Sequence, residues 1–280
     1  MSRPRPLFPV LSARDKRLPV YLLGIGLQHE QEPVFRDSGI RDYQWIQCRS
    51  GTGRFKLGTA EHLIQPGMGM LLFPGQKHEY RAISGQWEVD WIIFDGSGAA
   101  NLFDTVGIVG TSVYTLDAPD SLSERMRELL QAAAAPQERT LRNFACSAVL
   151  YTLLTEILQR VSVEGKETVG QQYARLKPAL DYIERHYGEA IPLQALAAEI
   201  GVTPEYFCHL FKKTTGVRPM SYVNQVRVNK SKELLLDIPQ LGMEEIARRV
   251  GFESSSYYGA LFKKLERVTP GAFRQSGGKP

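Results

Sequence analysis

The strongest constraint on this chain is an internal repeat near its C-terminus. Leu196-Ala197-Ala198-Glu199-Ile200-Gly201-Val202 is answered fifty residues later by Ile246-Ala247-Arg248-Arg249-Val250-Gly251-Phe252. Leu210-Phe211-Lys212-Lys213 is answered by Leu261-Phe262-Lys263-Lys264, and Pro219…Tyr222 by Pro270…Phe273, both at an offset of fifty-one. One residue has been added between the blocks of the second copy. Each copy reads as a short amphipathic helix ended by a glycine, whose missing Cβ suits a left-handed cap. An apolar plug follows, Val202 or Phe252. A second helix then opens on a hydroxyl cap, Thr203-Pro204 in one copy and Ser254 in the other. Two helices across so tight a turn form a helix-turn-helix, whose second helix can enter the major groove of DNA.

In the first of these second helices, Tyr206 or Phe207, with Leu210 and Phe211, faces the core. Thr203, Glu205, Cys208, His209 and Lys212 are left for the outer, DNA-facing side. In the second, Tyr257 or Tyr258, with Leu261 and Phe262, packs inward, leaving Ser254, Ser255, Ser256, Gly259, Ala260 and Lys263. His209 can donate or accept at base edges, whereas Gly259 and Ala260 allow only close approach or contact with a thymine methyl. Direct readout is therefore expected mainly from the first helix, and phosphate contact and shape from the second. Cys208 has only His209 beside it to lower its pKa, and reads as a small residue near DNA rather than a redox switch. Between the copies, residues 221–236 continue as one helix, roughly 24 Å long at 1.5 Å per residue. Such a spacer can hold two recognition helices near the ~34 Å between successive major grooves. Residues 175–280 carry sixteen Lys/Arg against eleven Asp/Glu, and residues 1–174 eighteen against nineteen, so the net charge of +4 sits in the repeat-bearing part.

The N-terminal part follows another period. Short apolar runs at residues 20–25, 43–48, 55–57, 69–73 and 88–94 are separated by Ser50-Gly51-Thr52-Gly53, Pro66-Gly67 and Pro74-Gly75, which punctuate turns. Strands at this spacing suggest an all-β barrel or sandwich. From residue 121 to 161 the period lengthens: Leu122, Met126, Leu129 and Leu130, then Leu141, Phe144, Ala148 and Tyr151, mark two helices separated by Pro136. Residues 162–172 are polar with two glycines and read as a linker. The expected organisation is a two-domain α+β chain. Residues 1–162 form a β-barrel followed by helices, 163–173 the linker, and 174–280 an all-α domain with two helix-turn-helix units.

No apolar run approaches the ~20 residues of a membrane span, and the arginine- and proline-rich start lacks the apolar centre of a secretory signal. The three cysteines are widely spaced and form no CxxC pair, against a disulfide framework or zinc ribbon. A cytoplasmic location is expected. No catalytic nucleophile–base pair, Walker motif or dinucleotide fingerprint occurs, and no cofactor is called for.

The C-terminal pattern resembles the AraC/XylS family of bacterial transcription regulators. The resemblance rests on Leu196-Ala197, Phe211-Lys212-Lys213, Pro219…Tyr222, Arg227-Val228, Leu234-Leu235, Ile246-Ala247, Val250-Gly251-Phe252, Tyr257-Tyr258, Phe262-Lys263-Lys264, Pro270 and Phe273-Arg274. It covers about residues 193–274 and is highly specific. Ser231 stands where the family usually has alanine, and Arg267 where a glycine normally precedes the proline by a short step. The stretch Pro66-Gly67…Leu72-Phe73-Pro74-Gly75-Gln76-Lys77-His78-Glu79-Tyr80, with Trp87…Trp91-Ile92-Ile93-Phe94, is similar to the cupin-type sensing domain of sugar-responsive members. By this resemblance the β-barrel is expected to be cupin- or jelly-roll-like. The resemblance implies double-stranded DNA and a small-molecule effector, most simply a saccharide, as partners. It further implies a homodimer through the helices at 121–161, RNA polymerase as a further contact, and activation as the commoner outcome.

By position in the family pattern, Arg36, Tyr80 and Trp91 match sugar contacts, while Val89 falls where some members have histidine. Tyr43 and Trp45 share one face of their strand and are added as expected walls. Core packing competes for every aromatic here, and an exposed salt bridge for Arg36. His78 is expected to be either a pocket-rim or a hydrogen-bonded histidine. Metal-binding cupins gather several histidines and a glutamate, whereas here His62 and His78 stand apart, so no metal site is expected. The competing class is a cupin sugar-binding protein or enzyme whose helical tail serves only assembly.

Overall fold

In the computed structural model, which describes residues 4–163 and 166–278, the chain divides into two compact units, Met1–Gln171 and Gln172–Pro280. Glu164 and Gly165 of the expected linker lie outside the described residues.

The first unit is an antiparallel sheet of β1 (Tyr21–Glu30), β2 (Val34–Arg36), β3 (Tyr43–Leu57), β4 (Ala60–Ile64), β5 (Met68–Leu72), β6 (His78–Asp95), β7 (Ser112–Leu116) and β8 (Val161–Ser162). The strand order is β1-β6-β3-β5-β7-β8, with β2 added to β6 and β4 to β3. The helices α1 (Ser97–Thr105), α2 (Pro119–Ala134) and α3 (Arg139–Arg160) complete it. Pro136 separates α2 from α3, whose first turn is capped by Glu138 accepting from the Thr140 and Leu141 amides.

Ser50-Gly51-Thr52-Gly53 does not reverse the chain as expected. It lies inside β3, which stays paired with β6 on both sides of it through bulges between Cys48 and Gly53. Gly51 takes φ +77°, and a Cβ there would meet the Gln86 carbonyl at 2.1 Å, so the flexible residues bend a continuous strand rather than ending it. Bent long strands let the sheet have two buried faces. One packs Trp45, Leu71, Ile92 and Phe94 against α1–α3. The other collects Ile46, Phe55, Ile64, Met70, Tyr80, Trp87 and Val89, with no helix contributing. Burial of these residues to a few per cent exposure without a helix requires the sheet to roll over them.

Among the described helices, α3 is long and apolar enough by composition to cross a membrane. Its polar groups instead bind the N-terminal segment: Asn143 donates to the Val10 carbonyl and Ser147 to that of Val20. Cys146, Leu150, Leu153, Leu154 and Ile157 pack inward. The stripe Leu141, Phe144, Ala148 and Tyr151 faces outward instead.

The second unit is helical: α4 (Val169–His186), α5 (Leu193–Glu199), α6 (Pro204–Thr215), α7 (Pro219–Asp237), α8 (Met243–Arg249), α9 (Ser255–Glu266) and α10 (Pro270–Gln275). Helix α4 starts within the expected linker because Thr168 and Gln171 exchange side-chain-to-amide hydrogen bonds at 2.9 and 3.0 Å, a capping box. Two cores follow the repeat. Leu176, Ile183, Leu196, Phe207, Phe211 and Val223 form the first, and Val228, Leu235, Ile246, Val250, Tyr258 and Phe262 the second. Helix α7 supplies both, with Val223 and Val226 in one and Val228 and Leu235 in the other.

Arg227, 8% exposed, locks the two cores together. Its Nε donates to the Tyr187 carbonyl at 2.8 Å and its Nη2 to that of Glu189 at 2.7 Å, both in the α4–α5 turn. Its guanidinium also lies 5.6 Å from the Phe252 ring centroid of the second copy.

Candidate nucleic-acid interface and effector pocket

Each helix-turn-helix is assembled as the repeat dictates. Gly201 and Gly251 take φ +67° and +89° at the ends of α5 and α8. The following amides of Val202 and Phe252 then donate back to Ala197 and Ala247 at 3.1 and 2.8 Å, closing both helices. Thr203 and Ser254 cap the next helices, accepting from the Tyr206 and Tyr257 amides at 3.3 and 3.2 Å. Their hydroxyl protons stay available to a phosphate oxygen.

The residues expected to face DNA share the outer sides of α6 and α9. Thr203, Glu205, His209 and Lys212 are exposed and Cys208 half-buried; Ser254, Ser255, Ser256, Ala260 and Lys263 are exposed and Gly259 half-buried. A Cβ at Gly259 would meet nothing within 4 Å, so this glycine leaves open space on the surface. Of the adjacent aromatics, Phe207 and Tyr258 are the buried members, while Tyr206 and Tyr257 are exposed.

These two tyrosines are pinned alike. The Arg175 guanidinium donates to the Tyr206 hydroxyl at 3.3 Å and lies 5.3 Å from its ring centroid, and Asn224 donates to the Tyr257 hydroxyl at 3.3 Å. Arg175 and Asn224 sit on α4 and α7, the helix preceding each unit. Sequence reasoning left each tyrosine as an alternative core residue. The signal for exposure was their position one residue ahead of the i, i+3, i+4 apolar stripe.

In the first unit, Arg36, His78 and Tyr80 come together. Arg36 Nη1 donates to Gln44 Oε1 at 2.9 Å, and the His78 and Tyr80 rings lie parallel with centroids 5.9 Å apart. A cavity of about 420 Å³ is lined by Arg36 and His78 together with Phe35, Lys56 and Lys77. Tyr80 lines an adjoining one of about 220 Å³. His78 Nδ1 lies 2.8 Å from the Gln76 carbonyl. A carbonyl only accepts, so the proton is on Nδ1 and Nε2 carries the lone pair. That Nε2 is buried without a partner. Burial, and more weakly Arg36, pull the imidazole pKa below its ordinary value against the Gln76 hydrogen bond, which keeps it neutral.

Trp91 belongs to the same interior cluster but lies apart from these cavities. It covers Gly24 and Gly26 of β1, and Phe8 of the N-terminal segment lies 5.8 Å from it. Tyr43 and Trp45 do not wall the rolled interior, contrary to expectation. They do share a face, but it is the one covered by helices: Tyr43 packs on Phe73, Phe94 and Phe103, and Trp45 lies over Gly69 in the core shared with α1–α3. On β3 the residues facing the rolled interior include Ile46 and Cys48, with Gln44 bonded to Arg36 on the same alternation. Gln44, buried and holding Arg36 from behind the cavity lining, is the polar residue that sequence reasoning missed.

Residues 25–154 match the model of the AraC-like ligand binding domain, and residues 196–276 that of a helix-turn-helix domain. The chain is 24% identical over 227 residues to the Msm operon regulatory protein of Streptococcus mutans, covering 80% of this chain and 81% of that protein. It is 22% identical over 245 residues to the arabinose operon regulatory protein of Salmonella typhimurium, covering 86% of each. A shorter match, 35% identical over 102 residues, is to the regulatory protein PocR of Salmonella typhimurium, spanning 36% of this chain and 33% of that one. With a ligand-binding domain ahead of paired helix-turn-helix units, the chain belongs to the AraC/XylS family of DNA-binding transcription regulators, which are not enzymes.

Proposed function

We propose that this regulator is a cytoplasmic transcription activator switched by a saccharide held at the mouth of the rolled sheet. The observation that carries the effector class is the pairing of His78 with Arg36. The His78 Nε2 lone pair needs a donor, and Arg36, bonded through Nη1 to Gln44, has further N–H groups to offer an acceptor. Neighbouring hydroxyls of one sugar meet both demands, whereas a bare carboxylate or phosphate leaves Nε2 unsatisfied. Tyr80, on the adjoining cavity, supplies an aromatic face for the C–H side of such a ligand. The name of one relative, the arabinose operon regulatory protein, points the same way.

Operator contact is assigned to Thr203, Glu205, Cys208, His209 and Lys212 of the first unit and Ser254, Ser255, Ser256, Gly259, Ala260 and Lys263 of the second. Dimerisation is assigned to the outward stripe of α3. Leu141, Phe144, Ala148 and Tyr151 recur at three and four residues, the spacing of a two-helix seam. Beside them is an apolar groove of about 830 Å³ that Phe144, Ala148 and Tyr151 line with Leu18 and Leu102.

A thermal shift of the full chain across pentoses, hexoses and short oligosaccharides tests the effector class. A ligand that binds only the folded state at a hundred times its Kd adds about 2.7 kcal/mol of stability. One sugar should raise the melting temperature with dose, and Arg36→Ala should abolish the rise. A rise that persists in Arg36→Ala would place the sugar elsewhere.

A further inference from the structure

The repeat calls for glycine at position 267, and this chain has arginine there. In the first copy the residue capping α6 is Gly216, at φ +78°; in the second, Arg267 caps α9 at φ +67°. Among the described non-glycine residues only Gln28 and Ala118 share this left-handed region, where a Cβ is disfavoured. The backbone gains nothing from the substitution. The Gly216 amide donates to the Lys212 carbonyl at 2.9 Å and the Arg267 amide to that of Lys263 at 3.0 Å, the same closure in both copies. The reason must lie in the side chain.

That side chain is exposed and, among the described residues, meets no carboxylate. The adjacent Glu266 is taken by Lys232 at 2.5 Å. In the first copy the loop after the recognition helix also carries one exposed arginine, Arg218, placed at the N-cap of α7. In the second copy that N-cap is Thr269, whose hydroxyl accepts from the Ala272 amide. An arginine there would forfeit the cap, and the loop's positive charge sits two residues earlier, on the strained position. The first two turns of α9 reach short on the outer face, through Ser255, Ser256, Gly259 and Ala260, so its long cations gather at the C-terminal end, where Arg267 follows the exposed Lys263 by four residues.

We propose that Arg267 is a phosphate-binding residue of the second helix-turn-helix, anchoring the DNA backbone beside the end of α9. This rests on the assignment of α9 as a DNA-contacting helix. The competing role is purely structural, a cation countering the negative end of the α9 dipole. The two roles separate cleanly, because one is read in DNA binding and the other only in stability.

The test uses the full chain and a fluorescein-labelled duplex of mixed sequence, long enough for two successive major grooves, titrated by anisotropy at several salt concentrations. Arg267→Gly and Arg267→Asn, both at ease in the left-handed region, should melt no lower than wild type. They should bind the duplex several-fold more weakly at low salt. The slope of log affinity against log salt should become shallower by about 0.9 per bound protomer, with Arg267→Lys retaining it. Unchanged affinity and slope in the glycine and asparagine variants, whatever their melting temperatures, overturn the proposal. Wild-type protein that does not hold the duplex would overturn the DNA-binding assignment itself, and shows before any substitution is made.

Discussion

The unpartnered Nε2 of His78 fixes the sign of one pH dependence. The folded protein holds this imidazole neutral, with its pKa depressed by burial, while the unfolded chain titrates it near its ordinary 6.5. Below that value the unfolded state binds the extra proton. Stability present above pH 6.5 is therefore lost as pH falls toward the depressed folded pKa, by at most about 1.4 kcal/mol per pH unit. Urea unfolding of wild type should weaken from pH 7 to 5.5 more steeply than that of His78→Gln; equal slopes would show that the folded state accepts the proton. Tyr43 and Trp45 mark the limit of what single residues reveal. Strand alternation correctly puts them on one face, but both faces of this sheet are buried, so apolar character does not say which face meets a ligand. Arg36, His78 and Tyr80 could be placed near one another only through family position, because β2 and β6 meet across forty residues of chain.

Elements were legible where local chemistry is strict. A glycine cap, a hydroxyl N-cap and proline at the first helical turn allow little besides the paired helices α5–α6 and α8–α9, and the structure has them there. The bulged strands β3 and β6 were broken too early, because glycines that bend a strand look like glycines that end one. Helix α3 carries two apolar stripes, and periodicity picked the outward one. Leu141 is 61% exposed and Phe144 38%, so a double Leu141→Glu/Phe144→Glu variant should keep its circular dichroism spectrum. Sedimentation velocity should show wild type as a dimer and this variant as a monomer; a variant still dimeric beside a dimeric wild type places the interface elsewhere, and a monomeric wild type overturns the dimer itself. In α7, Arg227→Ala should strip two charge-assisted hydrogen bonds from the α4–α5 turn and cost roughly 2–3 kcal/mol. The urea midpoint of the helical unit's transition would report it, and a change below about 0.5 kcal/mol would show that water replaces the guanidinium.

At the scale of the whole molecule, a sensing unit and a pair of DNA-binding units lie on one chain, and regulation requires that occupancy of one change the affinity of the other. Coupling of that kind is reciprocal and is measured as a ratio of affinities, commonly five- to a hundred-fold. The most direct measurement takes a duplex selected from a random library by the full-length protein. Its Kd is then determined with and without the sugar that raises the melting temperature, at one fixed salt concentration. The account predicts that this sugar changes the duplex Kd at least five-fold and that Arg36→Ala removes the change while leaving the sugar-free Kd intact. A duplex Kd that stays the same at saturating sugar would contradict it.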